Sequence, residues 1–211
     1  MANSMVHWNG NHLCVIDIET TGLDPFFHEM IQICILPLDS NIKVRRDVNP
    51  FYIEIQPEFP ERRDPDAMSV NNIDLIKIMQ RGHTREKAKD LLTDWYDKLG
   101  LPYNRSGVNR CKIMPLGQNY AFDRGFIIAW LGFGLYNDLF HSCYRDTMIS
   151  ALFLNDKAGM HAEKVPYSKV NLTWLAQTLG VPHDAFHDAL IDCATTAEVY
   201  RKMINQGLLG L

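Results

Sequence analysis

The stretch LCVIDIETTGLDP, residues 13–25, constrains the fold more than any other part of the chain. Leu13, Cys14, Val15, Ile16 and Ile18 form an apolar run that carries Asp17 and Glu19 inside it. On a β-strand, side chains two apart share a face, so the two carboxylates stand side by side on a strand otherwise fit for burial. Like charges at that separation repel, and loss of water makes each costlier. A cation between them resolves the conflict, and a divalent metal is the usual candidate. The same alternation also describes an edge strand with one wet face, on which both carboxylates are merely solvated. The rest of the chain decides between the two.

At 211 residues, with 46% hydrophobic and 22% charged content, the chain suits one soluble domain with a sizeable core. No run approaches the roughly 18 to 20 uncharged apolar residues of a membrane span. The start, MANSMVHWNGNH, lacks the basic and apolar segments of a signal peptide, so cytoplasmic residence is the default expectation. Cys14, Cys34, Cys111, Cys143 and Cys193 are odd in number, scattered and free of any C-x-x-C pair. They suggest neither a disulfide framework nor a zinc site, and most read as reduced, buried residues. A net charge of −4 argues against a protein that coats nucleic acid but not against an enzyme that grips a few nucleotides. Local basic groups, among them Arg62 with Arg63 and the set Arg81, Arg85, Lys87 and Lys89, read as solvated surface runs.

Strand patterns appear at 13–19, 30–38 and 50–56, with the turn TGLDP giving the first two hairpin spacing. CKIMPLG reads as a fourth strand and YRD as a short fifth. Helices are expected at about 71–80 and 84–99, at 120–133 with Gly134 as its stop, at TMISALFLN, at NLTWLAQTLG and at DALIDCATTAEVYRKMIN. Three early strands followed by alternating strands and helices predict an α/β architecture, a mixed sheet flanked by helices. The stretches 57–70 and 155–169 read as loops too short to divide domains.

Two helices repeat the anomaly of the opening strand. Stepping about 100° per residue from Tyr120 puts Phe122, Phe126, Ile127, Trp130 and Leu131 on one arc, and Asp123 near its centre. In the last helix, Asp192 sits at the margin of the face formed by Ala189, Leu190, Cys193, Ala197, Tyr200, Met203 and Ile204. Each alone can be a buried Asp bonded to backbone amides. Together with Asp17 and Glu19 they make four carboxylates in apolar company, which matches two Mg²⁺ or Mn²⁺ ions bound by oxygen. Asp188 is a natural N-cap for the last helix, which leaves His187 just before its entry, suited to accept a proton near neutral pH.

DIETTGLDP, GQNYAFDRGFI and HDALIDCATTAEVY resemble, in order, the three exonuclease motifs of the DEDDh family of 3′-to-5′ exonucleases, which includes the polymerase III proofreading subunit, ribonuclease T and oligoribonuclease. The motifs lie at 15–25, 117–127 and 187–200 in a single exonuclease domain spanning 1–211, and the spacing of His187 and Asp192 matches the His-bearing branch. The resemblance implies a ribonuclease H-like fold with a five-stranded mixed sheet. It makes Asp17, Glu19, Asp123 and Asp192 the carboxylates of two divalent ions, with Asp17 shared between them, and His187 the general base. It further implies that the backbone near Thr20 meets the terminal 3′-hydroxyl, that Leu23 wedges against the terminal bases, and that Asn119 and Phe122 line the nucleotide pocket.

The activity so implied is two-metal hydrolysis of terminal phosphodiesters on single strands or 3′ overhangs, releasing 5′-mononucleotides. The expected partners are single-stranded DNA or RNA 3′ ends, DNA slightly favoured, with no membrane; a homodimer is compatible with the sequence. An enzyme that trims RNA or degrades short oligoribonucleotides is the alternative. A non-catalytic binding module of the same fold would be expected to have lost one of the five motif residues, and none is lost; a metal-dependent nucleotide phosphohydrolase is a further option. EFPERRDPDAMSV and LPYNRSGVNRCK read as loops added to a minimal member, and the short tail after the last helix points to a free-standing nuclease.

Overall fold

The computed structural model describes residues 6–7, 10–71, 73–103, 107–183 and 188–208. Its centre is the strand that carries Asp17 and Glu19, β2 (Asn11–Thr20), which follows the two-residue β1 (Val6–His7). Strand β3 (Met30–Pro37) returns antiparallel to β2, and β4 (Phe51–Glu54) pairs antiparallel with β3. Strands β5 (Ile113–Gly117) and β6 (Arg145–Asp146) add on the other side in parallel. The order β4-β3-β2-β5-β6 is the expected five-stranded mixed sheet, to which β1 adds a short antiparallel partner for the start of β2.

Both faces of β2 are buried, and the period of two sorts its side chains. Cys14, Ile16 and Ile18 join a core with Ala88, Leu92 and Tyr96 of α3 (Arg85–Lys98), Phe126, Ile127 and Trp130 of α4 (Tyr120–Leu131), and Tyr136 of α5 (Phe133–Leu139). Leu13 and Val15 point the other way, onto Ala189, Cys193 and Ala197 of α8 (Ala189–Leu208). Those three small residues recur every fourth position and let α8 lie close against β2 and β3. A third cluster joins Ala151 of α6 (Thr147–Met160), Leu175 and Leu179 of α7 (Leu172–Leu179) and Val199 and Met203 of α8. Cys14, Cys34, Cys111 and Cys193 are buried free thiols and Cys143 is exposed. No described helix is long and apolar enough to cross a membrane.

The structure corrects four boundaries, one of them at α6, which runs to Met160, so the first part of the stretch 155–169 is helix rather than loop. The helix expected at about 71–80 is two, α1 (Pro65–Asn71) and α2 (Leu75–Arg81), because Asp74 caps a new start by accepting from the amides of Ile76 and Lys77 at 3.0 and 3.3 Å. The stretch 57–70 is therefore not all loop; it holds a 3-10 turn, Pro60–Arg62, and α1, whose first residue is a proline, a favoured opening position. Helix α4 stops at Gly132 rather than Gly134, since residue 132 has φ +77, a conformation glycine adopts without strain, while Gly134 lies inside α5.

The start of α4 carries no side-chain cap of its own, and Asn119 before it has a left-handed φ of +60. Its amides are satisfied from β6 instead. Asp146 accepts from Asn119 N at 3.2 Å and Tyr120 N at 2.7 Å, and also caps α6 through Met148 N at 2.8 Å and Ile149 N at 3.2 Å. One buried carboxylate thus ties together two helix starts. Asp146→Ala is expected to cost about 2–4 kcal/mol, as loss of two caps that leaves buried amides unpaired. That corresponds to a thermal midpoint lowered by roughly 5–12 °C, with Asp146→Asn losing less; a calorimetric melt of the three proteins checks it.

Candidate active site

Strand β5 pairs with β2 only as far as Val15 opposite Leu116. Past that point the β5 side of β2 is open, and α4, which leads directly out of β5, brings Asp123 into the gap. The backbone of Ile18 bonds the Asp123 carboxyl there. Asp17 and Glu19, in register with Cys34 and Gln32 of β3, belong to the β2 face on which α8 lies, and Asp192 comes to them from the first turn of α8. Asp17, Glu19 and Asp192 offer oxygen atoms that all lie within 4.8 Å of one another. Asp123 stands near enough to Asp17 to raise its carboxyl but lies outside that triad.

Glu19, Asp123 and Asp192 are buried, and Asp17 keeps partial exposure. Burial pushes the Asp17 carboxyl well above the usual range, and Asp123, Glu19 and Asp192 add to the rise. Glu19 is pushed up to about 8 by burial, then by Asp192 and Asp188. Asp123 is raised by burial, against the pull of hydrogen bonds from its own backbone and that of Ile18. Among the described residues, no lysine or arginine forms a salt bridge with Asp17, Glu19 or Asp123. Crowded carboxylates that offer only oxygen, with no lysine or arginine paired to Asp17, Glu19 or Asp123 among the described residues, fit a hard divalent cation.

The rim comes from the turn after β2. Thr20 Oγ1 donates to the Gly22 carbonyl at 2.6 Å, and Thr21 is stitched to Glu29 by bonds of 2.8 and 2.9 Å. Gly22 has no room for a side chain, because a Cβ there would stand 2.3 Å from the His28 ring. Leu23 at the tip is 72% exposed, so core packing does not explain it. Asn119 is exposed one turn before Asp123, and Phe122 is half-buried with its ring 5.0 Å from that of Phe126. His187 lies outside the described residues.

Sequence reasoning missed the groups that position the acids. Gln32 Nε2 donates to Tyr52 Oη at 3.0 Å, Tyr52 Oη donates to Asp188 Oδ2 at 2.7 Å, and Ala189 N donates to Gln32 Oε1 at 3.1 Å. Asp188 also caps α8, as its sequence position suggested, through Leu190 N at 3.0 Å and Ile191 N at 3.2 Å. This chain fastens the start of α8 to β3 and β4 at the register that faces Glu19. His183 is a second omission: its Nδ1 stands 3.9 Å from Asp192 Oδ1 and 3.3 Å from Thr195 Oγ1. Its only signal in sequence is its place nine positions before Asp192. The partners of Gln32 and Tyr52 are 157 and 136 positions away, which no local pattern encodes.

Two outcomes are expected. Without divalent cations the raised carboxyls bind protons in the fold that the unfolded chain has released. Stability therefore falls as pH rises from the ordinary carboxylate range through about 8, the value for Glu19. A cation at about 100 times its Kd adds ~2.7 kcal/mol, a rise of roughly 5–10 °C in Tm, and flattens that fall; melts with Mg²⁺ and with EDTA from pH 5 to 9 read both. Tyr52→Phe keeps the ring but removes the Asp188 bond. It is expected to weaken Mn²⁺ binding roughly tenfold, the range for loss of a group that orients a ligand, as measured by calorimetry.

No family model matches the chain. Ribonuclease T from Buchnera aphidicola subsp. Baizongia pistaciae is 25% identical over 195 residues, which cover 91% of this chain and 83% of the relative. Oligoribonuclease from Neisseria meningitidis serogroup A is 22% identical over 132 residues, 57% of this chain and 71% of the relative. Among solved structures, the zinc-ion-bound E. coli exonuclease I–ssDNA complex superposes with a TM-score of 0.68 at 17% identity over 94% of this chain. The chain spans 42% of the length of that exonuclease I, so the likeness is one of fold. The chain is a relative of ribonuclease T and oligoribonuclease that carries the ribonuclease H-like exonuclease fold.

Proposed function

We propose that the chain is a metal-dependent 3′-5′ exonuclease that removes terminal nucleotides from single strands or 3′ overhangs and releases 5′-mononucleotides, with DNA slightly favoured. The observation that carries this reading is the crowding of Asp17, Glu19 and Asp192 within 4.8 Å, with Asp123 beside Asp17. Asp17, Glu19 and Asp192 would hold one cation, and Asp17 with Asp123 a second, Mg²⁺ or Mn²⁺ in each case. Held there, the ions supply positive charge that offsets charge on the phosphate and makes water more acidic.

The remaining work falls to the chain's own groups. The Thr20–Leu23 turn directly follows Glu19, so its backbone can meet the terminal 3′-hydroxyl while the exposed Leu23 separates the last bases. Asn119 and Phe122 face the terminal nucleotide from the start of α4. His187, one residue before the Asp188 cap, takes the proton of the attacking water; this role rests on the motif resemblance and the spacing to Asp192. The likeness to ribonuclease T and oligoribonuclease favours a second reading, RNA trimming or short-oligoribonucleotide degradation by the same site.

A time course on matched 3′- and 5′-labelled DNA and RNA oligomers with Mg²⁺ or Mn²⁺ tests both readings. Loss of 3′ label first is expected; undiminished digestion in excess EDTA, or of a 3′-blocked strand, would overturn the proposal. His187→Ala is expected to lower kcat by roughly 10²- to 10⁴-fold, the usual range for a general base, with Mn²⁺ affinity unchanged. A variant that loses Mn²⁺ together with turnover would remove His187 from the proton transfer.

A further inference from the structure

The turn between β2 and β3 and the 3-10 turn Pro60–Arg62 present an aromatic surface that the carboxylate site does not use. Phe26 is 93% exposed, Phe27 50% and Phe59 41%. Neighbouring aromatic rings left in water mark an interaction surface. They also sit on fixed backbone. Asp24 Oδ1 accepts from Phe26 N at 2.9 Å, its carbonyl accepts from Phe27 N and His28 N, and its own amide donates to His28 Nδ1 at 3.1 Å. The second element is tied to the base of the same turn: Glu58 N and Phe59 N donate to the Glu29 carboxylate at 2.9 and 2.8 Å, and Asp64 N donates to the Thr21 carbonyl at 2.7 Å. Behind both, Phe126 and Trp130 of α4 close a pocket.

Arg62 joins the two elements. Its guanidinium lies 3.9 Å over the Phe59 ring and 5.4 Å from that of Phe27, and among the described residues no carboxylate pairs with it. The acids of the pocket, Glu29 and Glu58, are taken up by Arg85 at 3.4 and 3.7 Å. A stacked guanidinium with free donors suits phosphate, and exposed rings suit bases of any sequence.

We propose that Phe26, Phe27, Phe59 and Arg62 form a second nucleotide platform, which takes unpaired bases by stacking and a phosphate through Arg62. It rests on the exonuclease reading of the carboxylate site. In that reading the 3′-terminal nucleotide occupies the cleft and all other nucleotides lie on its 5′ side. A strand leaving past Thr21 and Leu23 then meets the aromatic surface.

Substrate length separates this platform from the site. Phe26→Ala, Arg62→Ala and the double variant are compared with the full wild-type chain on 5′-fluorescein-dT3 and -dT12 with Mg²⁺. Stacking losses predict kcat/KM on dT12 reduced roughly 10- to 100-fold, with turnover of dT3 within twofold of wild type. Equal losses on both lengths, or none on dT12, would overturn the platform, and the latter would leave the surface to a protein partner. If the wild type cleaves neither these oligomers nor rU3 and rU12, the exonuclease reading falls. Fluorescence anisotropy of dT12 then still decides the platform: binding about tenfold weaker in the variants supports it, and equal binding overturns it.

Discussion

Mutual repulsion among four carboxylates around one strand is the constraint on which the rest of this structure depends. Asp17 and Glu19 occupy the buried end of β2, with Asp192 coming from α8 and Asp123 from α4. Left to local forces, such groups would swing apart into water. They remain together because each is carried on an element packed into the core, and burial, with crowding added to it, pushes the carboxyls of Asp17, Glu19 and Asp123 above their usual range. A fold that holds acids this way is under tension that a divalent cation would relieve.

The helices soften that tension through their orientation. Asp123 and Asp192 both lie in the first turn of a helix, where the partial positive charge of the N-terminus favours a carboxylate. Each helix start is itself anchored by another carboxylate, Asp146 for α4 and Asp188 for α8. The Asp188 anchor runs on through Tyr52 and Gln32 into the sheet. Position is therefore passed from backbone amide to capping acid to site acid, and the separation of the site oxygens follows from where two helices begin.

The acidic cleft and the aromatic rim divide two tasks that oppose each other. Four acids repel a polyanion, so an acidic cleft without cations is a poor place to hold nucleic acid. In the proposed reading, stacking on Phe26, Phe27 and Phe59 and the Arg62 guanidinium, which pairs with no carboxylate among the described residues, would attract what the cleft repels. The net charge of −4 fits this arrangement, because affinity concentrated in a few rings and one cation needs no basic surface.

Much of the site was legible in sequence because its anomalies are local. Charge inside an apolar strand and inside the apolar arc of α4 needs only the periods of strand and helix to be noticed, and the burial of Glu19, Asp123 and Asp192 follows those periods. The cap at Asp188 and the β2–β3 hairpin were likewise written in neighbouring residues. The break at Asp74 and the stop at Gly132 were misplaced, since several adjacent residues offer similar turn chemistry and packing selects one. Asp146, Tyr52, Gln32 and His183 look ordinary in sequence, for their partners are distant in the chain and meet them only when strands and helices dock. Sequence by itself determined which residues are acidic, buried and periodic, because those properties belong to the residue and its neighbours. Only tertiary structure decided how near the carboxylates come and what holds them there, because distance between elements is set by packing and by hydrogen bonds across the fold.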